Sequence, residues 1–164
     1  MYREQIKVLD CSIRDGGLIN NYHFTMDFVK AIYRASCDSG VDYMEIGKKL
    51  CESDEYTRQK YGRWNFCDEE DLKQVVYSHE CETPPVLAVM LDVDRVDIKS
   101  LLPADQSVVG MVRTACYVPD IDKGLDLVKR TKDLGYETTI NIMASSAVIE
   151  TELIEEVQKS SGIV

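Results

Sequence analysis

Hydrophobic and polar positions divide the chain into short apolar runs and longer amphipathic stretches. Five apolar runs are typical of β-strands and cover residues 6–13, 41–47, 86–91, 108–114 and 137–143. Helical spacing predicts helices over 25–39, 68–76, 120–134 and 148–160, a helical turn over 96–102 and a partly helical stretch over 48–66. Strands that alternate with helices predict βαβ units and a parallel sheet with both faces covered.

A count of about five strands fits two fold classes. A flavodoxin-like doubly wound sheet has that many strands and would be a complete domain. A (β/α)8 barrel needs about 250 residues, so this chain would supply only its first five βα units. Residues 160–164 look like a helix end followed by a sixth strand, which favours the barrel. We therefore predict an α/β TIM-barrel fragment over 1–164, with strands in sequential order and the C-terminal strands missing.

Composition limits the classes of partner. A chain of 164 residues that is 45% hydrophobic can bury a core, and its formal net charge of −10 argues against nucleic acid and anionic membranes. The start does not resemble a signal peptide, and no apolar run has the length of a membrane span. The six cysteines lack the paired spacing of zinc or redox motifs. We expect reduced thiols in a cytoplasmic protein.

Polar residues stand where the predicted strands end, which is where parallel barrels carry out chemistry. Arg14 and Asp15 follow the first strand, and Gly16 and Gly17 are expected to turn the backbone close to a ligand. A carboxylate suits a divalent metal, and a guanidinium can bind a carboxylate or an oxyanion; a salt-bridged turn is the structural alternative. The later strands end in further candidates for the site, Glu45, Asp92, Arg113 and Asn141.

The loop after the first strand contains His23. Its imidazole is a candidate general base or ligand, although a hydrogen-bonding role within the loop is more common. We therefore include His23 with Asp92, Arg113 and Asn141 as predicted substrate-binding residues. The chain has no Walker-type loop and no GxGxxG motif, so nucleotide binding lacks support.

A family resemblance rests on the tract Asp10-Cys11-Ser12-Ile13-Arg14-Asp15-Gly16-Gly17. This tract resembles the Asp-x-Thr-Leu-Arg-Asp-Gly signature of the DRE-TIM metallolyases. That family includes hydroxymethylglutaryl-CoA lyase, 4-hydroxy-2-oxovalerate aldolase, and the isopropylmalate and homocitrate synthases. Residues 14–24 are most similar to bacterial HMGL-like proteins with an aldolase catalytic domain, and agreement continues through 44–47, 62–67, 112–113 and 135–143.

The resemblance implies a lyase that breaks or forms a carbon–carbon bond next to a carbonyl, through an enolate, on a small oxo acid or acyl substrate. It implies that Asp15 ligates a divalent metal (magnesium, manganese or zinc). It also implies that Arg14 stabilises the enolate oxygen and that Glu45 supports Arg14.

The chain departs from the family at two points. Leu18 stands where the hydroxyoxovalerate aldolases have a catalytic histidine, and the chain lacks the His-x-His pair of the family's metal site. We therefore expect the fragment itself to be inactive. A flavodoxin-like binding or regulatory domain and a catalytically inactive barrel-derived module remain alternatives. A half-closed barrel would expose strand edges, which predicts self-association into homo-oligomers.

Overall fold

The computed structural model describes residues 6–96, 98–147, 149, 154 and 158. These residues form one parallel sheet with the strands in the order β1-β2-β3-β4-β5. The strands are β1 (Leu9–Asp10), β2 (Tyr43–Lys48), β3 (Val86–Asp92), β4 (Val109–Tyr117) and β5 (Glu137–Met143). This order confirms the predicted barrel fragment. The flavodoxin-like alternative, which requires the order 2-1-3-4-5, is wrong.

The α-helices in the described residues are α1 (Ser12–Asn20), α2 (Met26–Ser39), α3 (Arg58–Tyr61), α4 (Glu69–Val76) and α5 (Ile121–Asp133). Short 3-10 turns cover Arg63–Asn65, Val93–Arg95, Ile98–Ser100, Ala104–Gln106, Val118–Asp120 and Ser145–Ala147. The predicted cap of α2 is confirmed, because Thr25 Oγ1 accepts a hydrogen bond from the Phe28 amide. The predicted helix over 148–160 and the sixth strand lie outside the described residues, apart from single positions.

The first strand is shorter than predicted, and a helix follows it where a tight turn was expected. Asp10 Oδ1 accepts hydrogen bonds from the amide of Ser12 at 3.2 Å and from its hydroxyl at 2.6 Å, which satisfies a free donor at the start of α1. Gly16 and Gly17 lie inside this helix, so the expectation that they turn the backbone is wrong. Gly17 serves packing, since a Cβ there would lie 2.2 Å from the ring of Tyr22.

The sheet curls into a half-barrel, and side chains on its concave face meet across intervening strands. The Tyr43 hydroxyl on β2 donates to Glu137 on β5 at 2.9 Å. In a flat sheet, strands three positions apart would lie about 14 Å from each other. Arg113 on β4 likewise reaches Glu45 on β2, passing over β3 where the small Ala88 stands in register with Glu45. The curl therefore brings residues from distant strands to one site.

The helices cover the other side of the sheet. α5 packs on β4 and β5, while α2 packs on β2 and against α4. The largest fully buried side chains include Trp64, Tyr33, Phe66, Met44 and Ile46. This apolar layer holds the strands that carry the polar groups of the concave face. No helix in the described part of the chain is long and apolar enough to cross a membrane.

Candidate active site

A fully buried carboxylate, Glu45 in the middle of β2, lies at the centre of a polar cluster on the concave face of the sheet. Its Oε2 accepts a hydrogen bond from Arg14 Nε and another from Arg113 Nη1, both at 2.8 Å. Arg14 comes from α1 and Arg113 from β4, so three elements converge on one oxygen. We call these residues the arginine–glutamate cluster. An unpaired buried charge is costly, so the two guanidiniums are what allows Glu45 to be buried.

Arg14 is held charged by its neighbours. Burial by itself lowers the pKa of Arg14, but the hydrogen bond and charge of Glu45, together with the charge of Asp15, raise it above its ordinary value. Arg14 Nη1 lies 2.8 Å from Asp15 Oδ1. The side chains of Arg14 and Arg113 are each only 16% exposed, so each presents a small polar surface to the mouth of the half-barrel. A planar guanidinium suits a carboxylate or an enolate oxygen.

Cys11 contacts the arginine–glutamate cluster at its edge. Its Sγ lies 3.7 Å from Arg113 Nη1. Burial, and secondarily the negative charge of Glu45, raises the pKa of Cys11 from 9.0 to about 11. The thiol is therefore neutral at physiological pH and is a poor nucleophile. Cys11 was not among the predicted site residues, although it lies inside the Asp10–Gly17 tract.

Six buried side-chain polar atoms lack a hydrogen-bond partner among the described residues, and Glu45 Oε1 and the hydroxyl of Tyr22 are two of them. Tyr22 is 4% exposed, and burial raises its pKa, so the hydroxyl stays protonated. Tyr22 and the preceding Asn21 both have positive φ, at 62° and 52°. Unpaired buried groups and strained backbone concentrate at functional sites, so Tyr22 joins the candidate site although its residue type gave no signal in the sequence.

A second ion pair lies at the ends of neighbouring strands. Lys48 Nζ, at the end of β2, is 2.9 Å from Asp92 Oδ2, at the end of β3, and the side chains are 15% and 17% exposed. The pair lines a cavity of about 350 Å³ at the carboxyl ends of β2 to β5, together with Ala115, Tyr117 and Met143. Lys48 escaped prediction because the predicted strand ends at residue 47, one residue before β2 ends.

The predicted metal ligand, Asp15, lies on α1 with its side chain 58% exposed. Within the described residues, no group of three or more His, Cys, Asp or Glu side chains is placed to hold a metal ion. Protein-bound divalent cations take about four to eight ligands, so the described residues do not form a complete metal centre around Asp15. We therefore derive no chemical step from a metal.

Comparisons with known proteins point to one kind of enzyme. The chain is 28% identical over 153 residues to a curated 4-hydroxy-2-oxovalerate aldolase from Geobacillus thermodenitrificans (strain NG80-2), an alignment that covers 92% of this chain and 43% of that protein. It also matches the crystal structure of the N-terminal domain of a "putative aldolase" from Bacteroides vulgatus. That match has a TM-score of 0.76 and 28% identity, and covers 94% of this chain and 51% of the other.

The aldolase resemblance is confirmed. No protein-family model matches the chain. The chain spans less than half the length of its curated aldolase relative and about half of the structural one. The five sequential parallel strands are thus an aldolase-like half-barrel.

The aldolase-like half-barrel brings most of the predicted site residues together. Glu45 contacts both Arg14 and Arg113, and Arg14 also contacts Asp15. Asp92 lines the adjoining cavity. Asn141 on β5 is in register with Ala115, and its neighbours Ile140 and Ile142 pack towards α5, so Asn141 alternates to the concave face.

His23 is placed apart from the other predicted residues. It is exposed, and its Nε2 lies 3.2 Å from the carbonyl oxygen of Lys60. It lines a different cavity, together with Arg58, Arg63 and Asp71. His23 therefore makes a hydrogen-bonding contact within the loops, which was the more common of the two roles considered from the sequence.

Proposed function

We propose that this chain provides the first five βα units of a barrel aldolase, as a single partial-barrel domain over 1–164. The enzyme would cleave a carbon–carbon bond of a 2-oxo or hydroxyacyl substrate through an enolate. The observation that supports this is the arginine–glutamate cluster, in which two guanidiniums are fixed by one buried carboxylate on the concave face of the sheet. The aldolase relatives support the same reaction class.

The cluster suits an enolate for an electrostatic reason. Each guanidinium has five N–H donors, and Glu45 occupies one donor of Arg14 and one of Arg113. The donors that remain can bind the carboxylate and the carbonyl oxygen of a 2-oxo acid. Because Glu45 fixes them before the reaction, they stabilise negative charge as it develops on the carbonyl oxygen. In this proposal Glu45 is a positioning residue, and Arg14 and Arg113 are catalytic.

The sequence supports a metal ligand, a substrate class and a cellular location as further parts of the proposed function. Asp15 remains a predicted ligand of a divalent metal, and isothermal titration with Mn²⁺ should show weaker binding for Asp15→Asn than for the wild type. The substrate is a small oxo acid or acyl compound, and the protein is cytoplasmic and self-associating. The net charge of −10 supports partners other than nucleic acid or anionic membranes.

A lyase assay of the full-length gene product tests the proposal. We expect release of a 2-oxo acid from 4-hydroxy-2-oxo acids, or of an acyl-CoA from a hydroxyacyl-CoA, measured with and without Mn²⁺. Arg14→Lys and Arg113→Lys keep the charge but lose the planar fork, and each should lower kcat by about 100-fold. Arg130→Lys is the control, because Arg130 pairs with the exposed Asp126 on α5. Absence of cleavage with all substrates contradicts the proposal and favours an inactive barrel-derived module.

A further inference from the structure

Aldol cleavage requires a base at the substrate hydroxyl, and the mouth of the half-barrel has no histidine for this role among the described residues. The sequence contains two histidines. His23 contacts the carbonyl oxygen of Lys60 in an outer loop, and His79 lies 3.8 Å from Asp38, at the end of α2. The side chain one helical turn after Arg14 is the apolar Leu18. Among the described residues, a proton acceptor at this mouth is therefore a side chain of another kind.

Asp92 is the most buried carboxylate that lines the mouth cavity. Its side chain is 17% exposed, compared with 68% for Asp94 and 32% for Asp120, which share Lys123 as a partner. Asp92 is in register with Ala115, whose small side chain leaves space beside it. It therefore combines burial with access to the cavity.

Asp92 stands on the same concave face as the arginine–glutamate cluster, nearer the mouth. On β3, Met90 is in register with Arg113, and Asp92 is two residues further towards the mouth. Two residues of a strand rise about 6.6 Å, and side chains two apart lie on the same face. Asp92 therefore lies on the same face as Arg113 and nearer the mouth, so a substrate that extends from Arg113 towards the mouth would reach it.

We propose that Asp92 is the general base of the cleavage and that Lys48 positions it. The inference rests on the proposed function. The 4-hydroxyl of a 4-hydroxy-2-oxo acid gives its proton to Asp92, and the O–H electron pair forms the carbonyl of the departing aldehyde. The C3–C4 bond breaks, and its electron pair passes into the enolate, whose oxygen faces Arg14. Protonated Asp92 then returns the proton to C3, which yields the 2-oxo acid and restores the carboxylate.

Lys48 acts through Asp92 and not on the substrate. Its ammonium donates to Asp92 Oδ2 at 2.9 Å, which leaves Oδ1 as the acceptor for the substrate hydroxyl. The hydrogen bond joins the ends of β2 and β3, so it fixes the carboxylate on the same frame that holds Glu45. Lys48→Met should therefore lower kcat by about 10-fold, less than the loss of the carboxylate itself.

Cleavage kinetics of the full-length protein test the assignment. Asp92→Asn should lower kcat by about 100-fold with KM little changed, and Asp92→Glu should recover part of the loss. Asp42→Asn is the matched control, because Asp42 pairs with Lys7 at 2.8 Å at the opposite, amino end of β2. It should cleave at the wild-type rate.

Two results would overturn the role of Asp92, and only one of them also overturns the proposed function. An active wild type whose Asp92→Asn variant cleaves equally fast removes Asp92 as the base and leaves the proposed function standing. A wild type that cleaves none of the 4-hydroxy-2-oxo acids removes the proposed aldol cleavage and Asp92's role together.

Discussion

Replacing Glu45 by glutamine removes the charge that holds Arg14 and Arg113 together. The side chain keeps its volume, but two guanidiniums that are 84% buried then face each other, and the only carboxylate among the described residues still paired with them is the largely exposed Asp15 on Arg14. Removing one partner of a buried ion pair costs about 3–5 kcal/mol. The glutamine carbonyl still accepts one hydrogen bond, so we expect a loss near the lower end, about 3 kcal/mol. A domain of this size has a total stability of about 5–15 kcal/mol, so the effect is large.

Urea unfolding followed by circular dichroism measures this loss. With a slope of about 2 kcal/mol/M, the midpoint of Glu45→Gln should fall by about 1.5 M. Asp126→Asn is the matched control, because Asp126 is 67% exposed and lies 3.7 Å from Arg130. An exposed pair within one helix contributes about 0.5 kcal/mol or less. A midpoint for Glu45→Gln that shifts no more than the control would refute the role of charge in the cluster.

Three further predictions concern side chains around α1. The Tyr22 hydroxyl has no hydrogen-bond partner in the described part of the chain, so Tyr22→Phe should leave the melting temperature unchanged or raise it. Tyr136→Phe loses a 2.7 Å hydrogen bond to the Leu102 carbonyl oxygen and should lower the melting temperature. Equal falls for the two variants in calorimetry would contradict this. Gly17→Ala forces a Cβ to 2.2 Å from a ring and should cost about 1–3 kcal/mol, while Gly16→Ala, at 3.2 Å, should cost less in urea unfolding. Cys11 should react slowly with iodoacetamide at pH 8 and faster as the pH approaches 11, since only the thiolate reacts. Peptide mass spectrometry measures the labelling, and fast labelling at pH 8 would contradict the prediction.

The same raised pKa gives Cys11 a defined effect on stability. The folded state holds the thiol proton more tightly than the unfolded state, so the contribution to stability is complete below pH 9 and is lost as the pH rises towards 11.

The strands and their order were predictable because each apolar run has its own local pattern. The helix α1 was not, because two adjacent glycines are poor helix formers and favour a turn. The ring of Tyr22, five residues further along the chain, packs against Gly17 and leaves no space for a Cβ there, which explains the glycine at this helical position. Such a contact exists only after folding, so no local pattern reports it.

The candidate site was predictable as a set of strand ends but not as a set of contacts. Arg14 lies in α1, and Glu45 and Arg113 lie inside β2 and β4, so their meeting at one oxygen depends on the curl of the sheet. Lys48 was missed because the predicted strand ended at residue 47, whereas β2 ends at Lys48. An error of one residue in a strand boundary therefore left a site residue in the predicted loop.

Ala88 imposes a size limit on the middle of the sheet. It stands in register with Glu45 on the strand that Arg113 must cross, and it is itself fully buried. A branched side chain at this position would clash with the Arg113 guanidinium and hold it away from Glu45. A variant that keeps Arg14 and Arg113 on Glu45 should therefore also keep a small residue at position 88.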